Sequence, residues 1–328
     1  MYNIKLVSMT YGKIKKSKPS PSLYNKYIKT QNIPALRRYM STRGTVPFHT
    51  FKECMLTKGG QHRAIFTKSS KFKKTFNPTT FVEDVISNHR KKNEKVNDLL
   101  DQLKEVQAYG MYLAPATMVQ GLNTCRGEGA CSEGCLAYSG RLATSQSQNK
   151  QYLFTVALYH HTELFLTEIV QQLFRLAHRY AFDGVDLAIR LNSTSDLPFH
   201  TVIDMESLVR DISNLDHFYD YTKIPTRYKV QSDFYHLTYS YSELSRDKWL
   251  SRFDRVAVVV TYADKKRLLN ESSFTDGDLH DLRKFDESKI VLLGVKRVGG
   301  FQGMNKERSV SQSFIQSFDK VVSLLEVV

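Results

Sequence analysis

Residues 151–191, QYLFTVALYHHTELFLTEIVQQLFRLAHRYAFDGVDLAIRL, decide the fold. Positions 151–180 carry a long, strongly apolar helical pattern, and 185–191 form a short aliphatic run. A long helix feeding a short buried strand is half of a β/α unit. The same texture runs through the chain from residue 110 onward. Strand candidates lie at 111–117, 185–191, 218–222, 234–240, 255–262 and 290–295, and helical patterns fill 151–180, 205–215, 242–253 and 276–285. The connection from 218–222 to 234–240 is the weak one, because 226–230 need not be a helix. Strands alternating with helices predict an α/β fold of parallel units, with a sheet covered on both sides. Six strands make either an open doubly wound sheet or a partial β/α barrel. In both, functional side chains gather at the C-terminal ends of the strands. A last helical pattern, over 311–325, packs back on that body.

Upstream, residues 82–107 (VEDVISNHRKKNEKVNDLLDQLKEVQ) read as a helix. Val82, Val85, Ile86, Leu99, Leu100, Leu103 and Val106 mark an apolar stripe, with charged residues on the other faces. Pro19, Pro21, Pro34 and Pro47 argue against long helices before residue 50. The expected organisation is a basic N-terminal segment (1–81), a linking helix (82–109) and a β/α body (110–328).

The net charge of +14 is unevenly placed. Residues 1–110 hold 22 Lys/Arg against 7 Asp/Glu, the remaining residues hold 25 against 26, and residues 1–52 contain no acidic side chain. Tyr24, Tyr27, Tyr39, Phe48 and Phe51 are interleaved with the basic residues, and Lys71, Lys73 and Lys74 alternate with Phe72 and Phe76. This footprint suits a polyanion, and phosphate attraction would dominate over base reading. The candidate nucleic-acid contacts are Lys13, Lys15, Lys16, Arg37, Arg38, Lys71, Lys73 and Lys74. The bland reading is a lysine-rich, solvated face.

The chain has 328 residues and 41% apolar content, enough for a substantial core. No stretch approaches the roughly 18 to 20 continuous apolar residues of a membrane span, and the N-terminus lacks a secretory signal pattern. The expected setting is the reducing cytoplasm, or the host's cytoplasm for a phage-encoded chain, with no membrane partner.

Three of the four cysteines, Cys125, Cys131 and Cys135, fall in GLNTCRGEGACSEGCLAYSG (121–140). Thiolates this close, on a glycine-containing loop after the first strand candidate, can converge on one metal ion or iron–sulfur cluster. A small disulfide loop or ordinary buried thiols are the alternatives.

After the second strand comes AIRLNSTSDLPF (188–199), with Arg190, Asn192, Ser193, Ser195 and Asp196 at the strand exit. An arginine in an apolar strand needs a partner or a polar cavity, so Arg190 is expected to pair with Asp196 or Asp186. The third strand supplies Tyr219, Tyr221, Thr222 and Lys223; the fourth supplies His236, Tyr239, Ser240 and Tyr241. Tyr219 with Tyr221, and Tyr239 with Tyr241, can each line one surface. GVKRVGGFQGMNK (294–306) offers Lys296, Arg297 and glycine backbone N–H groups to an anion. His160 and His161 lie in a helical pattern, point about 100° apart and read as structural. No P-loop, GxGxxG, HExxH or GxSxG motif is present.

Together these residues resemble the phage gene-product-88 family. Its pattern is C-x6-C-x3-C-Y-A followed by R-x-H-x-S-G-D. Here the spacing is C-x5-C-x3-C, followed by Leu136-Ala137-Tyr138, with Arg190-Leu191-Asn192-Ser193-Thr194-Ser195-Asp196 as the second motif and Tyr221-Thr222-Lys223 at a strand end. The resemblance covers about residues 110–300. That group is similar in turn to the radical S-adenosylmethionine enzymes, which carry a [4Fe–4S] cluster after the first strand of a six-unit partial β/α barrel. The resemblance implies Cys125, Cys131 and Cys135 as the cluster ligands, with one iron open for S-adenosylmethionine. In an enzyme reading, Arg190, Asn192 and Asp196 orient substrate or cofactor, Ser195, Tyr221, Lys223, Ser240 and Lys296 are the candidate cofactor contacts, and Lys223 and Lys296 neutralise anionic groups. This chain departs from the superfamily's C-x3-C-x2-C spacing, and Ser-Thr-Ser-Asp stands in place of its Gly-Gly-Glu segment. The expected function is a phage-type iron–sulfur enzyme acting on a nucleotide or nucleic acid. The alternative is a non-catalytic, zinc-stabilised nucleic-acid-binding protein with Cys54 or a histidine as fourth ligand.

Overall fold

The computed structural model describes residues 23–72, 105–132, 135–271, 273–295 and 314–328. Eight strands form one sheet: β1 (Phe66–Phe72), β2 (Glu105–Met111), β3 (Val185–Arg190), β4 (Leu215–Thr222), β5 (Tyr235–Ser240), β6 (Arg255–Val260), β7 (Phe274–Asp276) and β8 (Ile290–Gly294). Their order is β1-β2-β3-β4-β5-β6-β8-β7. Only β1 runs antiparallel to its neighbour; every other pairing is parallel. The sheet is open, with β1 and β7 as its edges.

The first parallel strand occupies 105–111 rather than the expected 111–117, so the last residues of the expected helix over 82–107 are strand. Burial of every position from Val106 to Met111 explains the misreading. A central parallel strand is apolar on both faces and lacks the alternation that identifies a half-exposed one. The rest of the expected helix lies outside the described residues. Two strands, β1 and β7, had no counterpart in the sequence reading. The lysine-rich FTKSSKF of β1 has the composition of a protected edge.

The pattern over 151–180 becomes two helices, α3 (Ser145–His160) and α4 (Thr162–Ala181), broken at His161. The smaller helices are α1 (Ile33–Met40), α2 (Phe51–Met55), α5 (Met205–Asp211), α6 (Tyr262–Leu268) and α7 (Phe318–Leu324). Expected helices over 242–253 and 276–285 reduce to 3-10 turns at Asp247–Arg252 and Arg283–Phe285. α4 buries Phe165, Ile169 and Leu173 on one stripe, with Leu166, Val170 and Ala177 beside it. These pack with Tyr109, Met111, Leu187, Ile189, Phe218, Leu237, Val258 and Leu292 from one face of the sheet.

The opposite face is different. A sheet flanked by helices on both sides was expected; among the described residues the helices pack on one side only. Val106, Ala108, Ala188 and Tyr219 of the other face meet Leu282 and Phe285 from the connection between β7 and β8. Among the described residues, that connection, 277–289, covers this part of the inner face.

The N-terminal segment is built into the same body wherever it is described. Tyr27, Leu36, Met40, Cys54, Met55 and Ile65 are core residues. Lys29 N–H donates to Val202 O at 2.9 Å, Asp204 N–H to Tyr27 O at 2.9 Å, and β1 pairs with β2. α2 is fixed by a capping box of Thr50 and Glu53. No helix among the described residues is long and apolar enough to cross a membrane.

Candidate functional site

The thiol loop begins beyond the end of β2 and is tied down before the first cysteine. Thr124 N–H donates to Ala116 O (3.1 Å) and its hydroxyl to Ala114 O (2.6 Å), and Cys125 N–H donates to Asn123 Oδ1 (2.7 Å). Glu128 N–H closes a turn on Cys125 O (3.1 Å), and the Cys131 thiol donates to Glu128 O (2.5 Å). Arg126 points away, donating to Tyr39 O (2.5 Å) and Ser41 O (3.2 Å) with its guanidinium 4.9 Å from the Tyr39 ring centre. Gly127 passes so close to β4 that a Cβ there would sit 2.9 Å from the Lys223 Cβ. Gly129 adopts φ +47°, and Ala130 N–H donates to Glu243 Oε1 (2.6 Å) beyond β5. The loop therefore lies across the exits of β4 and β5, where parallel sheets place their chemistry.

Cys125, Cys131 and Cys135 are all partly buried and free of disulfides. Burial pushes all three thiols up, and the Lys223 charge pulls each of them down. Cys125 is pushed further by Asp196 and by Cys131, and Cys135 also feels Cys131. The three sulfurs thus share one electrostatic neighbourhood with one ammonium group. Among the described residues, no three His, Cys, Asp or Glu side chains are gathered around a common point as a formed metal shell would gather them. The donor chemistry nevertheless fits a thiophilic centre: unpaired thiols on a glycine-bearing loop, faced by a cation that lowers the cost of thiolates. Cys54 does not belong to this group. It is buried in α2, pushed up to about 11 by burial, and its charged neighbours are Glu53 and Arg63. The Nε2 atoms of His160 and His161 meet Pro47 O (3.2 Å) and His49 O (2.8 Å).

The expected pairing of Arg190 with Asp196 or Asp186 does not occur. Arg190 meets Asp281 at 2.6 Å, and its guanidinium carbon lies 4.4 Å from the Tyr221 ring centre. Asp196 meets Arg227 instead. Residues 191–197 are buried, and Asn192 is consumed by its own turn. Its Oδ1 accepts from Ser195 Oγ (2.8 Å) and Leu197 N–H (2.8 Å), and its Nδ2 donates to Leu197 O (3.0 Å) and Asp220 Oδ2 (3.0 Å). Asn192 and Ser195 thus hold the strand exit in shape and turn no free polar group outward. Asp196 is a junction under the thiol loop, accepting from Thr222 Oγ1 (3.1 Å) and Lys223 N–H (3.0 Å).

Lys223 and Ser240 do come together, Nζ donating to Oγ at 2.8 Å. Tyr219 and Tyr221 share the inner face with them, whereas Tyr239 lies on the helix-covered face, stacked on Phe253 at 4.9 Å. Of the basic candidates, Arg37 is tied to Thr162 Oγ1 (2.8 Å) and Arg38 is exposed. Lys71 lies in β1, while Lys13, Lys15, Lys16, Lys73, Lys74 and Lys296 lie outside the described residues. Sequence reasoning missed Arg227, Glu243 and Asp281. Arg227 sits in a connection that reads as polar loop, Glu243 and Asp281 in stretches that read as helix, and only the fold brings each to the strand ends.

Residues 84–315 match the family model described as gene product 88. No curated protein and no solved structure matches the chain.

Proposed function

The chain belongs to the phage gene product 88 family, and we propose from that premise that it is an iron–sulfur enzyme of the radical S-adenosylmethionine type acting on a nucleotide or nucleic acid. The observation that carries this reading is the set of three unpaired thiols on one loop, under Lys223, at the exits of consecutive parallel strands. The order β2-β3-β4-β5-β6-β8, with helices packed on one face, supports a partial β/α barrel in which such a loop crowns the sheet.

In this reading Cys125, Cys131 and Cys135 hold a [4Fe–4S] cluster. With three thiolate ligands, such a cluster supplies one-electron chemistry and leaves one iron for S-adenosylmethionine. The chain's own residues prepare that place. Lys223, steadied by Ser240, offsets the negative charge of deprotonated thiols, and the Asp196–Arg227 pair fixes the floor of the loop. The basic excess of residues 1–110 supports recruitment of a polyanionic substrate.

The test is anaerobic purification with iron and sulfide analysis. On the order of four of each per chain is expected, lost in Cys131→Ser. A colourless protein with one tightly held zinc would replace this reading with that of a zinc-stabilised nucleic-acid-binding protein. A protein retaining stoichiometric metal in Cys131→Ser would remove the loop from both.

A further inference from the structure

We propose that Arg190 and Tyr221 form a subsite for a carboxylate or phosphate group, which Asp281 of the β7–β8 connection occupies in cis until an anionic ligand displaces it. The inference does not rest on the thiol loop.

Arg190 ends β3 on the inner face, one register step from the small pair Ala108 and Ala188. Its side chain is only 12% exposed and lies over the Tyr221 ring. Asp281 caps this pair, taking Arg190 Nη1 on one oxygen (2.6 Å) and the Tyr221 hydroxyl on the other (2.9 Å). One carboxylate thus receives a guanidinium N–H and a phenol O–H, the donor set an incoming carboxylate or phosphate ester would use. The guanidinium is not saturated, because its Nε is buried without a hydrogen-bond partner among the described residues.

The connection is built so that Asp281 can yield without unravelling its anchors. After it, Leu282 is packed with Ala108, Ala188 and Tyr219, Arg283 pairs with Asp286 (2.9 Å), and Lys284 reaches Asp216 (3.0 Å). Before it, Asp278 accepts from Lys265 Nζ (2.6 Å) and Gly294 N–H (2.9 Å). Leu279 between them is 78% exposed, so its side chain does not clamp this stretch over the site. A buried ion pair gains little net stability over an apolar pair. Its placement at the strand exits, with an unsaturated guanidinium, points to an exchangeable anion rather than to a structural tie.

The experiment is calorimetric titration of the full chain with inorganic phosphate and, separately, acetate at fixed ionic strength. Asp281→Asn removes the competing charge and should tighten at least one probe about tenfold, because the competent fraction of the subsite rises. Asp281→Ser removes the competing charge with a smaller side chain and should give a comparable gain; it carries the test should Asp281→Asn fail to fold. Adding Arg190→Lys to either variant should abolish the gain. Preference for phosphate would assign a phosphate-ester ligand, and preference for acetate a carboxylate. Equal affinities in wild type, Asp281→Asn and Asp281→Ser would overturn the proposal, as would a gain that survives Arg190→Lys. The same gains are expected in a Cys131→Ser background, so failure of the thiol reading and failure of this one are told apart.

Discussion

Arg227 holds Asp196 at two points, its guanidinium reaching the carboxylate and, at 2.8 Å, the backbone carbonyl. Asp196 N–H donates to Thr124 O (2.8 Å), and its carboxylate also takes Thr222 Oγ1 and Lys223 N–H. The exits of β2, β3 and β4 therefore converge on one buried acid. Burial pushes the Asp196 carboxyl up and the Arg227 charge pulls it down. Taking away the guanidinium leaves a buried carboxylate without its counter-charge, so Arg227→Met should cost about 3–5 kcal/mol. Denaturant unfolding measures it; a loss under about 1 kcal/mol would mean that the pair is not what holds these exits together.

Lys223 is the cation common to all three loop thiols. In metal-free, reduced protein its removal should raise the cost of every thiolate. Lys223→Met is therefore expected to slow alkylation of the loop by several-fold at constant pH, because each unit of thiol pKa changes the thiolate fraction about tenfold. Labelling rates by mass spectrometry report this, with Cys54 as the internal control, since its charged neighbours do not include Lys223. An equal change at Cys54 would signal general loosening instead.

Asp220 provides a pH-dependent stability readout. It is fully buried, and burial pushes its carboxyl up to about 6, against the opposing pull of hydrogen bonds from Asn192 (2.7 and 3.0 Å) and Tyr235 (2.9 Å). A carboxyl raised in the folded state favours folding most when protonated. Its contribution is complete below about pH 4 and is lost as pH rises to about 6. Asp220→Asn cannot titrate. The unfolding free energy of wild type minus that of Asp220→Asn should therefore fall by a few kcal/mol between pH 4 and 6 and flatten above pH 7, roughly. A difference independent of pH would contradict the assignment.

The β/α alternation was legible because α4 buries an apolar stripe and β3, β6 and β8 each bury a short aliphatic run, at 187–189, 256–258 and 290–292. β2 was displaced by six residues because its buried stretch, Val106 to Met111, follows directly on a helical pattern and shows no period of its own. The inner cover was missed for a different reason. Residues 276–285 satisfy a helical spacing, yet Leu282 and Phe285 are drawn to the sheet while Asp281 and Lys284 reach Arg190 and Asp216, a division of labour set by the sheet and not by local propensity. The thiols were found because three cysteines in eleven residues need no fold to be noticed. Arg227 and Asp281 were not, because single charged residues in connections acquire meaning only from their partners.

Polyanion binding by the basic part of the chain needs a test that spares the core. Deleting residues 1–52 would remove Leu36 and Met40, which are buried, and would report unfolding rather than lost contacts. Arg37 is similarly unsuitable, being tied to Thr162 Oγ1 and within 3.5 Å of His160 O. Lys13, Lys15 and Lys16 lie outside the described residues, and side-chain substitution there, with the unfolding free energy measured alongside, separates lost contacts from lost stability. Each cation that neutralises a phosphate contributes roughly 0.7–0.9 to the slope of log affinity against log salt. The triple change to alanine should therefore flatten that slope by about 2 to 3 for a labelled oligonucleotide followed by fluorescence anisotropy. An unchanged slope would show that these lysines meet no phosphate and would return the charge asymmetry to a solvated face.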